Sequence, residues 1–163
     1  MPVRAWRSGW TWLLGAALLA PCAYWSAWLR TPESRKDDVL AVAAAVRGTA
    51  RPGDAVLFMP SRRREWLLSS PHLYEGLHDL ALDRAPTASH TLQGTELPSQ
   101  EIRARLMEAP RVLALADPAD QPLDAYPREA VKRQTLAAHF DLCEVREVRG
   151  ARVLLYAQSG NCP

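Results

Sequence analysis

The densest run of side chains able to do chemistry is Ser61-Arg62-Arg63-Arg64-Glu65-Trp66, with Tyr74 eight residues further on. It directly follows the apolar run Ala55-Val56-Leu57-Phe58-Met59, and ligands of open α/β sheets bind beyond the carboxyl ends of strands. Three guanidinium groups at a helix N-terminus can grip a phosphate, while Trp66 and Tyr74 offer flat apolar surface. An ordinary solvated first turn accounts for the same residues. Near a bilayer they could also meet anionic lipid.

Other constellations are thinner. His72 and His78 stand six apart, not the three or four that put ligands on one helical face. Glu75 shares a helical face with His78 and with Asp79, which surface polarity explains without a metal. His90 and His139 are isolated. Asp37-Asp38 opens a helix, where acids are stabilised anyway, and Asp117 closes an apolar strand in an Asp-Pro turn. There is no Gly-x-Ser-x-Gly elbow and no phosphate-binding or dinucleotide glycine pattern. No catalytic residue, metal or cofactor follows from these residues.

The basic residues are 18 Arg and 2 Lys, almost balanced by 18 acidic residues, giving a net charge of +2. That balance gives no reason to expect a nucleic-acid partner. The preference for Arg over Lys, beside many Ala and a single Ile, looks like codon bias and weakens any argument from Arg abundance alone. Cys22 lies in an apolar run, and Cys143 and Cys162 could pair in an oxidising compartment.

Several elements must position these groups. Thr31-Pro32-Glu33 predicts a helix start, with Val39, Val42, Ala43 and Val46 as its inward stripe and Gly48 as its end, over about residues 32–47. Ala55–Met59 predicts a strand buried on both faces. Helices follow over 61–69 and from Pro71 to about Asp83, and then a polar connection over 84–98 with a weak strand near 88–92. A short helix over 99–107, a strand over Arg111–Ala116 and a helix over about 128–139 come next. A hairpin of strands 142–148 and 152–157 turns at Arg149-Gly150. Strands alternating with helices predict a small three-layer α/β domain with parallel central strands and a C-terminal antiparallel hairpin.

Ahead of it, Trp10 to Leu29 holds twenty residues without a formal charge, enough for roughly 30 Å of helix. Trp6, Trp10 and Trp12 stand toward one end and Tyr24, Trp25 and Trp28 toward the other, as rings do at membrane–water boundaries. Arg4 and Arg7 flank it on one side; Arg30, Arg35 and Lys36 flank it on the other. The run is too long for a signal peptide and lacks a small-residue cleavage site. The sequence therefore predicts an N-terminal flank and transmembrane helix over 1–30 and a soluble α/β domain over 31–163, held at a lipid bilayer as a single-pass protein.

Arg35-Lys36-Asp37-Asp38-Val39, Arg51-Pro52-Gly53-Asp54-Ala55-Val56-Leu57-Phe58 and Arg111-Val112-Leu113-Ala114-Leu115 carry a resemblance. Together with the preceding apolar run they resemble the C-terminal tail of bacterial membrane glycosyltransferases of the GT-C type, the protein-mannosyltransferase-like group. The resemblance implies a polyprenyl-phosphate-linked sugar as substrate and a domain outside the cytoplasm. In that family the catalytic Asp lies in an external loop of a many-helix membrane domain, which has no counterpart here. The resemblance thus implies an accessory, truncated or split piece that does not transfer sugar alone. The basic residues, two before the apolar run and three after it, do not favour that orientation. The other expectation is a stand-alone anchored module that binds phosphate, anionic lipid or another membrane protein through Arg62, Arg63, Arg64, Trp66 and Tyr74.

Overall fold

A computed structural model describes residues 5–34 and 37–162, the side chains of residues 5–14, 16 and 32 apart. The chain forms two units that part between residues 36 and 37. The first is a helix, α1 (Ala5–Trp28), with Pro21 inside it, and a 3-10 turn at Pro32–Ser34. Trp25 and Trp28 bring their rings to 5.4 Å of each other on its last turn. Among the described residues no helix is long and apolar enough to cross a membrane. The uncharged run owes much of its length to Trp, Tyr, Gly15 and Pro21, which are far less hydrophobic than Leu. The expected spanning helix is therefore not supported by the structure. Its flanks Arg4, Arg35 and Lys36, and the side chains of Trp6, Arg7, Trp10 and Trp12, lie outside the described residues.

In the second unit α2 (Val39–Thr49) starts well after the predicted boundary. Thr31 does not cap it; its hydroxyl donates to the Trp28 carbonyl. Asp38 is the cap, its Oδ1 accepting the Ala41 N–H at 3.0 Å, because a carboxylate satisfies an orphan donor of the first turn. Then come β1 (Ala55–Met59), a 3-10 turn at Ser61–Glu65, α3 (Trp66–Ser69) and a second 3-10 turn at Pro71–Leu73. These are followed by β2 (His78–Asp79), β3 (Leu82–Arg84), α4 (Pro86–Ser89), β4 (Thr95–Glu96) and α5 (Ser99–Glu108). The chain ends with β5 (Arg111–Ala116), α6 (Pro127–His139), β6 (Phe140–Val148) and β7 (Ala151–Gln158).

The helix expected from Pro71 to Asp83 does not form. Gly76 takes φ +80°, outside the helical region, and the next residues pair as β2 alongside β1. The spacing of Leu73, Leu77 and Leu80 that suggested a helix instead places three side chains partly buried against the domain's two apolar clusters from an irregular path. The connection 84–98 also differs from expectation: it holds α4 and β4, and the weak strand near 88–92 is absent. β4 pairs antiparallel with β3 as a separate two-stranded sheet.

The main sheet has the order β2-β1-β5-β7-β6. β2, β1 and β5 are parallel, and β7 and β6 add an antiparallel edge. Strand alternation sorts the core in two. Val56, Phe58, Leu113, Leu115, Val153 and Leu155 face α2 with Trp66 and Tyr74; Leu57, Met59, Val112 and Ala114 face Ile102 and Leu106 of α5 and Leu136 of α6. All residues of β1 and β5 are buried, which is why both read as unbroken apolar runs. Each full burial of a Leu or Val is worth about 1.5–3 kcal/mol.

In β6 the register shifts between Leu142 and Glu144, and Cys143 at that shift is disulfide-bonded to Cys162, with the Cα atoms 5.5 Å apart. The bond pins the tail after β7 to the sheet's edge strand. With 19 residues of sequence separation, the Cys143→Ser/Cys162→Ser chain is expected to lose about 3 kcal/mol of stability, measured by urea unfolding, while retaining its circular-dichroism spectrum.

Candidate functional site

The connection leaving β1 runs along the α2 face, and the one leaving β5 returns through α6 on the opposite face. Such a divergence opens a crevice at the carboxyl ends of the two strands, the usual ligand position in an α/β sheet. Into it come Pro60–Glu65 from β1 and Asp117–Asp124 from β5. The Asp117 N–H donates to the Met59 carbonyl at 3.2 Å and draws the strand ends together.

The three arginines have different fates. Arg62 is half-exposed and pairs with Asp117, with Asp124 at 3.9 Å. Arg63 is buried; it pairs with Asp117 and Asp37, donates to the Gly150 carbonyl at 3.1 Å and lies 4.5 Å above the Trp66 ring. Arg64 is fully buried, 5.3 Å from the Phe58 ring. Its Nε donates to Asp79 at 2.6 Å, its Nη1 to the Gln93 carbonyl at 2.8 Å and its Nη2 to Glu96 at 2.9 Å. Burial works to lower its pKa, but the hydrogen bonds and charges of Asp79 and Glu96 outweigh this and leave it raised. Arg63 and Arg64 thus spend their donors inside the fold, and neither guanidinium is presented to an outside phosphate. Trp66 and Tyr74 are buried on the α2 face and form core.

The network around Arg64 extends further. Glu96 Oε1 also accepts from Lys132 Nζ at 2.7 Å. Lys132, fully buried on α6, donates in addition to the Phe58 carbonyl and to Glu129 Oε1, each at 2.9 Å. That Glu129 oxygen accepts the Ser61 N–H at 3.0 Å, while the buried Glu129 Oε2 has no partner. The sequence assigned Asp79 to surface polarity and did not single out Glu96, Glu129 or Lys132, whereas Asp79 pairs with the buried Arg64. The i,i+3 spacing of Glu129 and Lys132 was visible, but that spacing ordinarily marks a solvated helix face. Gly94, at φ +73°, turns the chain into β4, where a Cβ would meet the Arg84 carbonyl at 2.5 Å. It adjoins Gln93, whose carbonyl reaches Arg64.

Beside the network lies a cavity of about 570 Å³ lined by Ser61, Glu96, Ser99, Tyr126, Arg128 and Glu129, among others. Its size falls in the range of small-molecule sites. Among the described residues no cluster of His, Cys, Asp and Glu is arranged to hold a metal ion.

Two measurements separate struts from surface charges. Arg64→Ala strands Asp79 and Glu96 in the interior and is expected to cost about 3–5 kcal/mol in denaturant unfolding, whereas Arg62→Ala costs less than about 1 kcal/mol. Burial pushes the Tyr74 hydroxyl, which has no hydrogen-bond partner, up to about 12. An acid with a raised folded pKa keeps its full contribution below pH 10, where the unfolded tyrosine is also neutral, and loses it as pH rises toward 12. The loss is on the order of 2 kcal/mol. Tyr74→Phe is expected to abolish that loss in pH-dependent unfolding and leave stability at pH 7 unchanged or slightly higher. Comparison of the chain with protein-family models, with curated proteins and with solved structures finds no match.

Proposed function

We propose that this chain serves as a membrane-anchored, extracytoplasmic α/β domain that accompanies polyprenyl-phosphate-sugar-dependent glycosyl transfer without carrying the catalytic groups itself. One observation carries the accessory reading. At the carboxyl ends of β1 and β5, Arg62, Arg63, Asp37 and Asp117 neutralise one another. A general base or nucleophile needs a group free to meet the substrate, and these side chains are ion-paired with one another, the one oxygen of the cluster without a hydrogen-bond partner, Asp37 Oδ1, being buried.

The anchoring half rests on α1, a 24-residue helix that includes most of the uncharged run and ends in the paired Trp25 and Trp28 rings. The exposed Leu18 and Leu19 lie on the same helix. The Cys143–Cys162 bond supports a location outside the cytoplasm, where thiols oxidise. A phosphate-gripping module built on Arg62–Arg64 is less well supported, since two of its three cations are already saturated.

Alkaline carbonate extraction of membranes from cells making the full chain tests the anchor. The chain is expected in the pellet, and Leu18→Arg/Leu19→Arg is expected to release it. Protease added to spheroplasts is expected to digest the domain, and protection there would overturn the extracytoplasmic placement. Release of the unaltered chain into the carbonate supernatant would overturn the anchor.

A further inference from the structure

We propose that β6 is an interface with a second copy of this chain, the two β6 strands pairing antiparallel about a two-fold axis at Val145 and joining the two five-stranded sheets into one. The sheet has two edge strands, and they differ. β2 is two residues long, and so short an edge offers little to pair with; β6 runs for nine residues. The two-residue turn Arg149-Gly150 makes Val148 and Ala151 a hydrogen-bonded pair. Alternation along the antiparallel ladder then aims the N–H and C=O groups of Glu147 and Val145 away from β7, toward the free edge.

The occupant follows from symmetry and charge. Two copies that share one edge are related by a two-fold axis, and an antiparallel ladder meets that symmetry because its paired residues exchange both bonds. The register shift between Leu142 and Glu144 confines regular pairing to Glu144–Val148. Within that stretch, an axis at Glu144, Arg146 or Glu147 sets a charge against its own copy, and one at Val148 runs off the strand into the turn. The axis at Val145 instead puts Glu144 opposite Arg146 of the second copy, and Arg146 opposite its Glu144. Both side chains are partly exposed and share the α2 face, where Arg146 Nε donates to Glu144 Oε1 along the strand. Pairing turns this couple into a square of four alternating charges. Charges on an edge ordinarily guard it against other strands; in this one register they match their own copy.

The opposite face supplies the apolar share. Leu142 and Val145 stand beside Tyr156 and Leu154 on the α6 face. There they and Leu123 are exposed and line one cavity of about 180 Å³. The axis sets the two Val145 side chains opposite each other, so the apolar patches of the two copies meet across it and leave water.

The pairing is independent of the anchor and of any sugar chemistry. Its test is sedimentation equilibrium of the full chain in mild detergent, with micelles in excess over protein. A dimer is expected, and the amides of Val145 and Glu147 are expected to exchange more slowly as protein concentration rises. Glu144→Arg makes both cross-strand charge pairs repulsive, as does Arg146→Glu. Each is expected to weaken dimerisation at least about tenfold, the scale of two such pairs reversed, with the fold checked by circular dichroism. Mixed together, the two variants are expected to dimerise with each other, because every cation then faces an anion again. A monomer throughout, a dimer that both reversals leave intact, or folded variants that fail to pair in the mixture would overturn the proposal.

Discussion

The burial of Arg64 and Lys132 is the constraint on which the second unit's architecture depends. Neither cation reaches solvent, so each must find its compensation inside the protein, because bringing an ion out of water costs several kcal/mol even after relaxation. The partners come from separate places: Asp79 at the end of β2, Glu96 in β4, Glu129 on α6, and the carbonyls of Phe58 and Gln93. A network of this kind tolerates little displacement. It fixes the sheet's outer strand, the small second sheet and α6 against the end of β1 at once. That reach explains why two-residue strands such as β2 and β4 persist, although so short a ladder has little stability of its own.

A second, simpler device holds the two central strands at both ends. At their carboxyl ends Asp117 is gripped by Arg62 and Arg63; at their amino ends Arg111 donates to Asp54 at 3.2 Å and to the Thr49 carbonyl at 2.8 Å. Between these clamps the strands are apolar on both faces. The crevice where the strand connections diverge is thereby narrowed to a cavity of about 180 Å³ lined by Met59, Pro60, Ala116 and Asp117 among others. A larger one, of about 570 Å³, lies to its side at the starts of α5 and α6. Position in the fold alone would have put a ligand at Asp117. The ion pairs there leave the buried Oδ1 of Asp37 without a hydrogen-bond partner, as the buried network leaves Oε2 of Glu129.

Legibility in the sequence tracked how local each cause was. β1, β5, α5, α6 and the β6–β7 hairpin were visible because uninterrupted apolar runs, helical spacing and the Arg149-Gly150 turn are written within a few residues. The α/β class followed from their order. The stretch 71–98 was misread because Leu73, Leu77 and Leu80 imitate a helical stripe, and only Gly76 interrupts it. Within the candidate site, the sequence marked Ser61–Arg64 as chemically dense but suggested outward-facing cations, since Arg is seldom fully buried.

By itself, then, the sequence determined the apolar segments, their strand or helix character outside residues 71–98, the hairpin and the class of fold. Each of these depends on periodicity or on a neighbour a few bonds away. Only the tertiary structure decided which charges lie inside. Arg64 meets Asp79 and Glu96 across 15 and 32 residues, and the Phe58 carbonyl meets Lys132 across 74. No local pattern encodes such a meeting. It exists because the sheet order carries β1, β4 and α6 to one place, and burial there makes pairing obligatory.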